Sequence, residues 1–494
     1  MPSQHEPENI EIEETQVQVQ PSPGEAVVQA PEAAGAEERP GRRRAKRIDL
    51  ASHTVEQNIW ILAGPLIAER LLQSVVDSAD MAMVGRVGAS AVTAVGLSNQ
   101  ISMIATGFFD AIRVGTTSVV ARRVGAGRND EAQQTLRQSL LIAATIGVVS
   151  FLLFSVFSGT CLRLMGAEPD VIAQGTRYFW WKGLSLVFEY VTMTFAAGLR
   201  GSGNTRLPMW VGMVVNGLNL VGNYLLIGGN FGFPQMNAEG AGLATAFARF
   251  VGMMMIILIT TTLANPLKDW LKGSFRPNGE ALGNVLRIGV PASGERLTLR
   301  GAQLLYTRAI AGLGTAAYAA HQIALRTESI SLVLGFSFGA TATTLVGQYL
   351  GADDHEKAER AARRSQQIST LAMGCAGVLL FISAPVVVKL FIPENPEVVS
   401  LGASVVRIVA VAQPFMAINH VLAGSLRGAG DTAWVMYITG ASAWAVRVVL
   451  TYLLVGSFGL HLQGAWYAMV LDLIFRSVLF RWRFGTGKWK EIRV

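Results

Sequence analysis

Ionisable and amide side chains recur at helical spacing inside stretches of this chain that are otherwise apolar. Between positions 58 and 83, Glu69, Gln73, Asp77 and Asp80 follow one another at steps of four, four and three. That spacing puts them on one face of a helix. Asn216, Asn219 and Asn223 share a face of a later stretch, and Asn99, Ser102, Thr106, Asp110, Arg113 and Thr117 share a face of another. Carboxylates, amides and hydroxyls set out in this way can hold a proton, ligate a small cation or hydrogen-bond a polar solute. The competing reading is that they satisfy one another: Asp110 and Arg113, three apart, suit a local ion pair. Glu189, Glu295, Arg300 and Glu328 are further charges within apolar stretches, and Arg300 is expected to neutralise Glu328 or Glu295.

The elements that must position these groups are membrane spans. The chain has 494 residues, 51% of them hydrophobic and only 15% charged, where a soluble protein carries about 25% charge. Apolar runs such as SLLIAATIGVVSFLLFSVF, from Ser139, are long enough to cross a bilayer as helices, and about twelve such spans can be placed between positions 58 and 481. Alternate connections hold the basic residues. Arg122, Arg123, Arg128 and Arg137 follow the second span, Arg200 and Arg206 the fourth, and Lys357, Arg360, Arg363 and Arg364 the eighth. The intervening NFGFPQMNAEG and GSFGLHLQG have none. One positive-inside assignment fits every loop and puts both termini in the cytoplasm. An ionisable group inside a span is costly and is a functional candidate by default. The net charge of +7 therefore belongs to inner loops rather than to a nucleic-acid site.

The spans form two copies of one unit. Pro65, Glu69 and Arg70 align with Pro291, Glu295 and Arg296 at an offset of 226; Gly88 and Gly125 align with Gly314 and Gly351 at the same offset. GLRGSGNTR at Gly198 matches SLRGAGDTA at Ser425, offset 227, and NYLLIGG at Asn223 matches TYLLVGS at Thr451, offset 228. Two sixes of equal orientation place a solute site between the halves. The glycines of the LRGxGxT loops suit a tight turn, and their arginines are expected to face the anionic inner surface. The expected organisation is a disordered tail at 1–48, an N-lobe at 49–265, a cytoplasmic linker at 266–287, a C-lobe at 288–481 and a basic cytoplasmic tail at 482–494.

Several motifs, in order and spacing, resemble the multidrug and toxic compound extrusion (MATE) family: DMAMVGRVGA at Asp80, the paired LRGxGxT loops, NLVGNYLLIGG, GAGLATA, AAHQIALR at Ala319 and TTLVGQYLGA at Thr343. The likeness runs from about residue 55 to 480. It implies an all-α, V-shaped, two-lobe transporter of the plasma (inner) membrane, acting as a monomer. Such a protein exchanges amphipathic, often cationic, drug-like compounds for protons or sodium by alternating access, with no cofactor and no catalytic chemistry. It also implies a coupling role for Asp80, with Asp77, Asn219, Asn223 and Thr245 completing a candidate cation site. Sodium at Asp80 stays open beside the proton. Glu189, Asn216, Asn99, Asp110, Arg300, Glu295 and Glu328 are the expected substrate-cavity residues. Where some members carry C-lobe acids, this chain has Leu299 and Met416, which shifts the expected coupling site to the N-lobe.

Other classes fit less well. G-x-x-x-x-G-K-[ST] and H-E-x-x-H are absent, the six His residues are scattered, and Cys161 and Cys375 form no metal or disulfide framework. A flippase for lipid-linked precursors, from the same superfamily, is the remaining alternative.

Overall fold

The computed structural model describes residues 53–393 and 395–492; the expected tail at 1–48 lies outside them. Twelve long helices follow in order, with no strand among the described residues. They are α1 (Val55–Gly85), α2 (Ala89–Gly125), α3 (Asn129–Leu164), α4 (Pro169–Gly201), α5 (Arg206–Gly228), α6 (Asn237–Thr262), α7 (Gly279–Ala311), α8 (Thr315–Gly351), α9 (His355–Phe391), α10 (Pro396–Ala429), α11 (Thr432–Ser457) and α12 (His461–Gly485). Eight are apolar enough to cross a membrane by composition; α2, α4, α7 and α12 are long enough but less apolar. Those four hold Asp110, Lys182, Glu295 and Asp472. The repeat-related helices α3 and α9 turn Leu152 and Val156, and Leu379 and Ile382, fully outward, an apolar surface that lipid covers.

Helix ends follow local chemistry. Thr54 and Gln57 form a reciprocal capping box at the start of α1, and Asp354 accepts from the Lys357 N–H at the start of α9. Both LRGxGxT loops turn on their second glycine, Gly203 at φ 88° and Gly430 at φ 90°, where an L side chain would be strained. The first glycine serves a different purpose. A Cβ at Gly201 would press on the Thr117 carbonyl, and one at Gly428 on the Thr343 carbonyl, so α4 and α10 close directly on α2 and α8. α7 begins at Gly279, so the last part of the expected linker 266–287 is helical. The rest is fastened to the N-lobe: Leu267 and Trp270 are buried, and Arg137 donates to the Trp270 carbonyl at 3.0 Å.

The arginines of the LRGxGxT loops do not face the inner surface. Arg200 grips both carboxylate oxygens of Glu69, at 2.6 and 2.8 Å, and Arg427 grips both of Glu295, at 2.8 and 2.7 Å. All four side chains are at repeat-related positions, so each lobe contains the same internal strut. A guanidinium half-sunk at the end of a span gains more from a bidentate carboxylate than from distant lipid charge.

The lobes meet through α2 against α7 and α8, and α1 against α8. Gly125 lies against the Gln348 carbonyl and Gly351 against the Arg122 carbonyl, and neither site has room for a Cβ. Gln348 donates to the Gly201 carbonyl at 2.7 Å and Arg122 to the Ala429 carbonyl at 3.0 Å. Further along the seam the equivalence breaks. Arg296 forms an ion pair with Asp110 across the α2–α7 contact. Arg70, its repeat partner, instead stands over the Phe336 ring at 5.5 Å across the α1–α8 contact. Phe336 is the repeat equivalent of Asp110, at the 226 offset.

Candidate functional site

All these seam contacts fall in one half of the molecule, the half with residues 55 and 351. In the other half, between the lobes, lies a cavity of about 940 Å³, within the range of small-molecule sites. It is walled by the second half of α1, the first halves of α2, α4 and α6, the middle and later turns of α5, and, from the C-lobe, the first half of α8 and the end of α9.

The N-lobe wall holds a continuous polar chain. Asn223 donates to Asp80 at 2.8 Å, and the same Nδ2 lies 3.4 Å from the Asn219 carbonyl oxygen. Asn219 donates to the Thr245 hydroxyl at 3.1 Å, and Thr245 donates to the Ala241 carbonyl at 2.8 Å. The spacing of four between Asn219 and Asn223 stacks both amides on the α5 face that meets α1 and α6. One acceptor is left over: the Asn223 Oδ1 is buried and has no partner. Asp77, a turn before Asp80, accepts from Gln73 at 2.7 Å.

The structure therefore gathers Asp80, Asp77, Asn219, Asn223, Thr245, Asn216 and Asn99 around one cavity. Other expected cavity residues lie elsewhere. Glu189 is buried and stands 3.5 Å from Arg249. Asp110 is spent on Arg113 and Arg296 at the seam. Glu295 holds Arg427, and the Thr439 hydroxyl also reaches it at 3.4 Å. Arg300 forms no ion pair with Glu295 or Glu328 among the described residues, because Arg427 has already taken Glu295. Glu328 is buried inside the C-lobe, away from the cavity lining. Three basic side chains that sequence reading passed over line the cavity instead: Lys182, Arg249 and Arg326. Their signal was available, since each lies well inside an apolar span.

The C-lobe counterpart of the polar chain is built differently. Repeat offsets put Tyr306 where the N-lobe has Asp80, Arg447 where it has Asn219, and Thr451 where it has Asn223. Arg447 is fixed by Asp472, which is fully buried and also accepts from Arg476 and Ser442. Ser442 and Arg447 are five apart, yet both reach the same carboxylate. They can do so because Ser442–Val448 is a π-helical stretch, in which residues five apart come onto one face. A guanidinium held by Asp472 thus stands at the repeat position of Asn219.

Comparison with known proteins agrees with this geometry. The MatE family model matches residues 65–225 and 291–453, one match in each half. The chain is 31% identical to the probable multidrug resistance protein NorM of Thermotoga maritima over 440 residues, covering 88% of this chain and 94% of that protein. It is 28% identical to the multidrug resistance protein MdtK of Pectobacterium atrosepticum, covering 81% and 88%. A crystal structure of a MATE protein in complex with MaD3S superposes with a TM-score of 0.82 at 22% identity, covering 91% of this chain and all of that one. An outward-facing MATE transporter of the MOP superfamily also superposes with a TM-score of 0.82, at 21% identity, covering 92% of this chain and all of that one.

Proposed function

The chain belongs to the MatE family of multidrug efflux transporters, and from that premise we propose that it exports amphipathic, drug-like compounds in exchange for protons, with Asp80 as the proton carrier. The observation that carries this reading is the chain Asp80–Asn223–Asn219–Thr245 at the wall of the interlobe cavity. Ionised, Asp80 accepts from the Asn223 amide. Protonated, it becomes a donor, and a half-turn of that amide presents the orphaned Oδ1 to receive the new hydrogen. Asp80 itself thus keeps a hydrogen-bond partner in Asn223 in each protonation state. Sodium would need several oxygens at once, and both asparagine Nδ2 groups point inward along the chain, which favours the proton. Cargo with a cationic group competes with the proton for the same acidic wall, which is the requirement for exchange.

The seam end is the cytoplasmic one if the basic loops face inward. The lobes are then closed to the cytoplasm and the cavity lies in the outer half. Alternation consists of parting the α2–α7 and α1–α8 seams while the cavity half closes. Both termini are cytoplasmic and the protein works as a monomer in the inner membrane.

The test is dye efflux in everted vesicles under a pH gradient or a sodium gradient imposed separately. The pH gradient alone should drive efflux of cationic dyes, and Asp80→Asn should abolish it. Efflux driven by sodium alone would overturn the proton assignment. Failure of either gradient to move any dye would turn attention to lipid flipping.

A further inference from the structure

Two of the cavity's three basic residues have no partner. Arg249 stands against Glu189, but neither the Lys182 ammonium nor the Arg326 guanidinium makes a hydrogen bond or ion pair with any described residue. Both are deep. Arg326 is eleven residues into α8 and Lys182 thirteen into α4. At 1.5 Å per residue that is roughly 16 and 20 Å from the helix starts, in helices of 37 and 33 residues that exceed a hydrocarbon core about 30 Å thick. Unpaired cations at that depth are rare and are held for a solute. They also come from opposite lobes, Lys182 from the N-lobe wall and Arg326 from the C-lobe wall.

The charges of the cavity are divided. The acids, Asp77 and Asp80, are both on α1; across from them, Arg326 is the sole charged residue that the C-lobe contributes to the lining. A cavity suited to simple cations would be acidic on balance, and this one is not. A guanidinium presents a planar fork that matches a carboxylate or similar oxyanion. Resting on the efflux reading above, we propose that Arg326 receives an anionic group of the cargo, so that the preferred compounds are amphipathic zwitterions. Their cationic group faces Asp77 and Asp80, and a carboxylate or equivalent monoanion faces Arg326 across the cavity. Exchange is preserved, because the cationic group still competes with the proton at Asp80 while the anionic group does not.

The probes are rhodamine B, which carries a free carboxylate, and its ethyl ester, which is a cation of nearly the same shape. Efflux of both is measured in everted vesicles with wild type, Arg326→Gln and Arg326→Lys. A charge-assisted bond lost from a binding site lowers affinity about 10- to 100-fold. Arg326→Gln should therefore raise the KM for rhodamine B relative to that for the ester by at least about tenfold, and Arg326→Lys should recover part of the loss. An equal loss for both probes would show that Arg326 serves lobe closure, and no change for either would show that it binds no cargo. Both outcomes overturn the proposal. Proton-driven efflux of the ester, and its loss in Asp80→Asn, reports separately on the antiport reading. If that reading fails, fluorescence polarisation of rhodamine B on purified wild type and Arg326→Gln still decides the anion site.

Discussion

Arg296→Gln should loosen the closed end of the transporter. Among the described residues, Arg296 is the only partner that Asp110 finds in the opposite lobe; Arg113, its other partner at 2.7 Å, is on the same helix. Removing Arg296 therefore cuts the cross-seam bond while leaving Asp110 neutralised, so the effect reports on the seam rather than on an abandoned buried acid. The Arg296 side chain is 41% exposed and that of Asp110 7%, which places the pair between a surface bridge and a desolvated one, worth about 1–2 kcal/mol. That shifts the closed-to-open ratio about five- to thirtyfold. The assay is cysteine accessibility. Cys161 and Cys375, both free, are replaced by alanine, and Ser293→Cys is introduced where Ser293 bonds the Gly107 carbonyl across the seam at 3.1 Å. Labelling by an impermeant maleimide in everted vesicles should accelerate by that factor in Arg296→Gln. Phe336→Ala, which removes the equivalent contact to Arg70, should accelerate it less, since an exposed cation–π contact is worth about 0.5–1 kcal/mol. Unchanged labelling in Arg296→Gln, or a larger effect from Phe336→Ala, would refute the claim that the ion pair holds the seam.

The struts inside each lobe should behave alike: Glu69→Gln and Glu295→Gln should each cost about 2–3 kcal/mol, somewhat less than a fully buried pair. Double-mutant cycles with Arg200→Gln and Arg427→Gln should return coupling of the same sign in thermal unfolding; additivity in either lobe would remove the strut. At the start of α9, the Lys357 N–H and ammonium hold the Asp354 carboxyl below its ordinary value. Its contribution is therefore present above about pH 3.8, the ordinary aspartate value, and is lost as pH falls through the lowered one. Asp354→Ala should destabilise by about 1 kcal/mol at neutral pH, and the difference from wild type should close on acidification; a pH-independent deficit would contradict the cap.

The spans, the duplication and the polar face of α1 were legible in the sequence because they rest on local periodicity and on matching within one chain. Asn219, Asn223 and Thr245 could be grouped with Asp80 only through the resemblance to the MATE family. The long-range pairings were not legible by spacing. Arg200 and Glu69 are 131 residues apart, and nothing local says that a loop arginine turns back into the lobe. One signal did exist: Glu69 and Arg200 both survive at their repeat positions, as Glu295 and Arg427, so the two ends of one pairing are kept in both halves. Ser442 and Arg447 could not have been grouped from α-helical spacing, because the π-helical stretch brings residues five apart onto one face. Lys182 and Arg326 were overlooked because the acids drew attention to cation binding.

The seam between the lobes has the form of a dimer interface. Gly125 meets Gln348 as Gly351 meets Arg122, and each of these contacts is the image of the other under a twofold exchange of halves, which is the rule for two copies of one subunit. What makes the protein a single chain is the segment between α6 and α7, and that segment is fastened to the N-lobe alone through Arg137 and Gln138. Cutting the chain just before Gly279 therefore severs no seam contact. Two separately expressed pieces, each six helices long, should find one another in the membrane and restore transport. The Asp110–Arg296 bond, which exists only between unlike pieces, would favour the mixed pair over two N-terminal or two C-terminal ones.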